Sequence, residues 1–167
     1  MDEIKNTYLT FDVGENHFGI HVEHVVEIVE YLEPKSTSSM LPFMKGLVNH
    51  RGGIVPLIDA GLKFGLKPIE IGDQTCCIIM SVKGADKEFD IALMVDHVSE
   101  VIEVNEDSQQ FIETNYKPGY VAFAASVNDN FVMFLDVDKV FNDTEVISLA
   151  GILANSLEGR VYYASRY

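Results

Sequence analysis

The residues best suited to chemistry in this chain are its five histidines and the carboxylates near them. His21, His24 and Glu27 lie close together, and the spacing His24-x-x-Glu27 recurs as His97-x-x-Glu100. Imidazole and carboxylate at such spacing could serve a small metal-dependent hydrolase, with His24 and His97 as ligands. The surrounding sequence argues against that use. It is rich in Val and so favours strand, where positions i and i+3 point to opposite faces. A third ligand is missing, and a metal site is rarely duplicated along with its scaffold. Cys76 and Cys77 are adjacent, which strains a bond between them, and they sit in the strand-like run Gln74-Thr-Cys-Cys-Ile-Ile-Met80, one facing each way. There is no Walker loop, GxGxxG, GxSxG or HExxH. The expectation is a protein that is not an enzyme, with no catalytic residue, no metal and no cofactor.

The Asn49-His-Arg-Gly-Gly53 segment has a different character. Its two glycines mark a tight hairpin, so Arg51 projects from the tip and cannot be core. Glu27, on a preceding strand, is expected within ion-pair reach of Arg51, with both largely solvent-exposed. An exposed pair adds little to stability, which leaves docking as its use. Val25, Leu47 and Val48 would form the apolar rim of that site.

Behind these residues lies an internal repeat. VEHVVEIVEY (22–31) matches VDHVSEVIEV (95–104) at an offset of 73, with Val22, His24, Val25, Glu27 and Glu30 identical to their counterparts. IVPLIDAGLKF (54–64) matches FVMFLDVDKVF (131–141) at an offset of 77. One module is written twice, roughly over 8–68 and 75–143, and the seam between the copies is a natural groove. A docking partner is expected there against Val25, Leu47, Val48 and residues near Val98. A charged residue at Val25 is expected to weaken binding with the melting temperature nearly unchanged.

The elements that must hold these residues are short strands at regular spacing. They run over Tyr8–Val13, Phe18–Val22, Val25–Tyr31, 46–50 and 54–58, then again over 77–82, 90–95, 98–104, 120–127 and 131–135. Pro56 places its strand at an edge or a bulge. Asp59 and Asp136 each cap a short helix. Residues 105–119 read as a polar loop, 144–155 as a terminal helix, and 157–167 as a tail of foreign character with no assigned function. The fold class expected is all-β, two small barrels in one folding unit.

The net charge of −14, from 26 acidic and 12 basic side chains, disfavours nucleic acid and anionic lipid as partners. No apolar run reaches membrane-spanning length. The start MDEIKNTYLTF has no apolar signal core, and a cytoplasmic location is expected.

The string Phe18-Gly-Ile…Val25-Val-Glu-Ile28, then Pro42-Phe-Met-Lys-Gly-Leu-Val-Asn-His-Arg-Gly-Gly-Ile-Val-Pro-Leu-Ile-Asp59, then Lys63-Phe-Gly-Leu66, resembles the CheW family over about residues 7–143. Those are the coupling proteins of bacterial chemotaxis. The resemblance implies two five-stranded SH3-like barrels, one over about 15–74, the other over about 7–14 plus 75–143, followed by the helix at 144–156. It implies two partners, a methyl-accepting chemoreceptor signalling tip and the regulatory domain of a CheA-type histidine kinase. It also implies recruitment to receptor arrays at the inner membrane. Val25, Glu27, Gly46, Leu47, Val48, Arg51, Gly52 and Val98 are the binding residues it points to. A domain cut from a CheV-like or CheA-like protein is the alternative of the same class. His50 departs from the pattern, standing where the family commonly has Leu before Arg-Gly.

Overall fold

The structure, a computed structural model, describes residues 6–84, 87–105 and 118–155 in full and residues 110–112 and 156–166 as backbone. The strands are β1 (Thr7–Val13), β2 (Asn16–His21), β3 (Val25–Glu30), β4 (Met44–His50), β5 (Gly53–Asp59), β6 (Cys76–Lys83), β7 (Glu88–Val95), β8 (His97–Glu103), β9 (Gln110–Ile112), β10 (Val121–Val127) and β11 (Asn130–Leu135). Three helices accompany them: α1 (Ala60–Lys63), α2 (Val137–Val140) and α3 (Asp143–Arg166).

The strands form two sheets, in the orders β3-β6-β7-β5-β4 and β8-β1-β2-β11-β10-β9. The two sequence repeats therefore exchange hairpins. Hairpin β1–β2 of the first repeat joins β8, β10 and β11 of the second, while β6–β7 of the second joins β3, β4 and β5 of the first. The exchange is symmetric down to its details. Among the described residues, the only parallel pairings are β2 with β11 and β5 with β7. Register shifts also recur at equivalent places, at Met44/Gly46 and at Val121/Phe123.

This corrects the division of the barrels at residues 14/15 and 74/75. One barrel is built from β3 to β7, and the other from β1, β2 and β8 to β11. The reason is local. Gly14, at φ 59°, closes a two-residue turn in which Val13 faces Asn16, so β2 must lie beside β1 and cannot be parted from it.

Other expectations shift as well. Pro56 lies on an interior strand, with Leu47 of β4 as its partner. Alternation from the turn puts Pro56 at a non-hydrogen-bonded position toward β4, and its β7 ladder begins one residue later at Leu57, so no ladder bond is forfeited. The segment expected as loop includes strand β9 on β10. The terminal helix runs through the region expected as a tail. Its start is a reciprocal cap: Asn142 Oδ1 accepts from the Glu145 N–H at 2.8 Å, and Glu145 Oε1 accepts from the Asn142 N–H at 2.9 Å.

A large core of Phe11, Phe18, Leu57, Ile78, Met80, Ile91, Leu93 and their neighbours runs through both sheets. A smaller core inside the second barrel stacks Phe134 on Phe123, with Tyr8 edge-on to both. Lys63 joins the repeats. Its ammonium lies 5.0 Å from the Phe43 ring and 5.4 Å from the Phe141 ring, and 3.5 Å from the Glu145 carboxylate on α3. The alkyl stem and charge of one partly buried side chain thus tie α1, α2's end and α3 together.

Candidate docking site

Strands β3 and β4 are the two edges of the first sheet. They meet where the barrel closes, and the contacts that close it are polar. Lys35 and Leu47 exchange backbone hydrogen bonds of 2.8 Å in both directions. Further along the seam, Arg51 grips Glu27 with two donors, Nε to Oε2 and Nη2 to Oε1, each at 2.9 Å. This bidentate geometry is the strong form of a guanidinium–carboxylate pair. His50 Nε2 donates to the same Oε2 at 2.7 Å.

The hairpin tip is built to aim the guanidinium. Arg51 and Gly52 are the two turn residues, at φ 53° and 80°, the left-handed pattern of a two-residue hairpin. Asn49 Oδ1 accepts from the Gly52 N–H at 3.1 Å and locks the turn. Arg is a poor choice for such backbone on steric grounds. The second repeat places Asn128 and Asp129 at the same turn, at φ 51° and 68°, with Asn128 Nδ2 reaching Glu100 Oε1 at only 3.4 Å. The pair of strand carboxylate and turn side chain is thus present in both barrels, and only the first makes it ionic.

The expected ion pair is present, but its exposure is uneven. The Arg51 side chain is 75% exposed and the Glu27 side chain 29%, because His50, 11% exposed, and Arg51 cover it. The hydrogen bond from Arg51, then that from His50, lowers the Glu27 carboxyl to about 2. Glu27 in turn pushes the Arg51 guanidinium up. A lowered carboxyl means that the attraction is complete above pH about 4.5 and is lost as pH falls through about 2. The Glu27 side-chain carboxyl carbon, followed by NMR, should therefore keep its ionised chemical shift down to about pH 3. A midpoint near the ordinary carboxyl value would show that the pair does not persist in solution.

The remaining residues expected at this site separate into three groups. Gly52 shapes the turn. Gly46, at φ 142°, is buried, and a Cβ there would lie 2.5 Å from the Lys35 carbonyl; its part is to let the chain after β3 cross β4. Gly46→Ala should lower the melting temperature by several degrees, and any loss of binding would follow from that damage; an unchanged melting curve would refute this. Val48 is 4% exposed and belongs to the core, which corrects its place on the docking rim: on β4 its side chain alternates inward. Val25 and Leu47 are half-buried against the core. A charge at Val25 should therefore lower the melting temperature, contrary to expectation. Val98 is on β8 of the other sheet, opposite Phe11, and also packs on the core.

Two residues beside the pair were missed. Val26 and Ile28 of β3 are 54% and 43% exposed and alternate along the strand with the half-buried Val25, Glu27 and Val29.

The histidines weighed and set aside as metal ligands lie in separate settings. His24 ends a 3₁₀ turn (Val22–His24) beside Glu23. His97 shares Asp12 with His17. Among the described residues, no group of three or more His, Cys, Asp or Glu could hold a metal ion. Cys76 and Cys77 are free thiols, and burial pushes both up, away from the reactive thiolate form. Among the described residues no helix is long and apolar enough to cross a membrane.

Residues 7–145 match the family profile described as CheW-like domain. The chain belongs to the CheW family. It is 24% identical over 149 residues to the chemotaxis protein CheW of Klebsiella aerogenes, covering 87% of each chain. It is also 24% identical over 151 residues to that of Treponema pallidum, covering 86% of each. The crystal structure of the scaffolding protein TtCheW from Thermoanaerobacter tengcongensis superposes with a TM-score of 0.71 at 24% identity, over 84% of this chain and 96% of that one. The two-barrel CheW fold follows.

Proposed function

We propose that this CheW-family chain is a cytoplasmic adaptor without catalytic activity. It couples the signalling tip of a chemoreceptor to the regulatory domain of a CheA-type histidine kinase at receptor arrays on the inner membrane. One observation carries this reading: an Arg held in left-handed backbone at a hairpin tip, bidentate to Glu27 and still 75% exposed. The fold does not need it, since the second repeat makes the same turn with Asn128 and Asp129. A strained, exposed cation paired to an edge strand that also exposes Val26 and Ile28 fits a partner surface that offers an acidic group and apolar side chains. Glu27, Arg51 and Gly52 form the polar centre, with Val25 and Leu47 packed against the core beneath it.

The test is binding by the purified chain to a receptor signalling fragment and to a kinase regulatory domain from the same genome. Binding to at least one supports the adaptor reading, and binding to neither ends it. Ile28→Ser should weaken that binding roughly tenfold, as loss of an apolar contact at an interface centre does, with the melting temperature nearly unchanged. Equal affinity would remove the exposed face of β3 from the site.

A further inference from the structure

We propose that His50 is the positioning residue of the docking site, and that it makes the charge Arg51 presents to a partner depend on pH. The proposal rests on the adaptor reading for what binds, and on geometry for how. Glu27 Oε2 is shared by two donors, His50 Nε2 at 2.7 Å and Arg51 Nε at 2.9 Å. Both draw on the same negative charge. A second proton on the imidazole turns its N–H into a charge-assisted donor, which claims a larger share of the carboxylate. Arg51, exposed at the tip, is then less compensated and attracts an acidic partner group more strongly. A neutral imidazole returns the carboxylate to Arg51. Imidazole is the ordinary side chain whose charge state can change within the physiological range.

The setting lets the ring exchange protons while holding it in place. His50 lines a cavity of about 690 Å³ between α3 and the β5 and β7 ends. Among the described residues the groups facing it are Glu27 of β3, Arg51 of its own turn, and Lys87, Glu88 and Asp90 across the cavity, with aliphatic side chains from α3. The internal repeat supplies the comparison. Val127 occupies the place of His50 in the second barrel, and Asn128 there meets Glu100 at 3.4 Å with no imidazole between them.

The experiment uses the full chain and His50→Gln, which keeps a neutral N–H donor but cannot titrate. Between about pH 5 and pH 8, NMR follows the Arg51 Nε–H resonance, and calorimetry follows binding of the receptor fragment and the kinase regulatory domain. In the unaltered protein the Arg51 resonance should move with the His50 imidazole at a common midpoint, and affinity should rise roughly threefold or more toward the acid end. In His50→Gln both responses should be lost. An Arg51 resonance indifferent to His50, or a pH profile that survives His50→Gln, overturns the proposal. If His50→Gln unfolds, His50→Leu takes its place with the same expectations. If neither fragment binds at any pH, the adaptor reading fails, while the partner-free NMR arm still decides the role of His50.

Discussion

Arg51→Glu is expected to reduce partner binding on the order of a hundredfold while the melting curve moves little. The substitution does two things at once. It removes both donors to Glu27, and it sets a second carboxylate against the first at a tip where only one cation had been. A partner's acidic group then meets repulsion where it had met attraction. The barrel does not depend on the pair, because the seam is also closed by the Lys35–Leu47 backbone bonds. Arg51→Asn separates charge from backbone. It installs the residue that the second repeat uses at the same turn, Asn128, and Asn tolerates left-handed backbone better than Arg. The Asn variant should melt at or slightly above the temperature of the unaltered protein and still bind weakly. Full affinity in the Asn variant would show that the tip charge is irrelevant to docking.

Asp59→Ala should cost about 2–4 kcal/mol of stability, read as a fall of roughly 5–15 °C in melting temperature. Asp59 is fully buried. Its carboxylate caps α1 through the Leu62 N–H at 3.2 Å and also accepts from the buried Ile69 N–H at 3.1 Å. Alanine would leave that second donor without a partner in the interior. Asp136, its counterpart in the second repeat, accepts from the Asp138 N–H at 3.2 Å in an exposed setting. Asp136→Ala should cost only about 1 kcal/mol. Equal losses at the two positions, measured by chemical denaturation, would show that the buried Ile69 bond adds nothing beyond an ordinary cap.

Much of this was legible along the chain. Turn chemistry located the hairpin at Arg51-Gly52, because left-handed backbone restricts residue choice to a few types. Asp59 and Asp136 announced their helices because capping is a contact between residues near in sequence. The reciprocal cap of Asn142 and Glu145 has the same local spacing and could have fixed the start of α3. The Glu27–Arg51 pair was reachable because an Arg at a hairpin tip has few places to go.

What the chain by itself determined is the set of local elements and their duplication. Turn backbone, caps and strand alternation depend on neighbours a few residues away, and the two copies carry those signals twice. Tertiary structure alone decided which hairpin belongs to which barrel, that Val48 faces the core, and that Val26 and Ile28 face solvent. It also brought His50 onto the carboxylate of Glu27. Each of these depends on contacts between distant segments, which decide which face of a strand is covered and leave no mark in the local pattern.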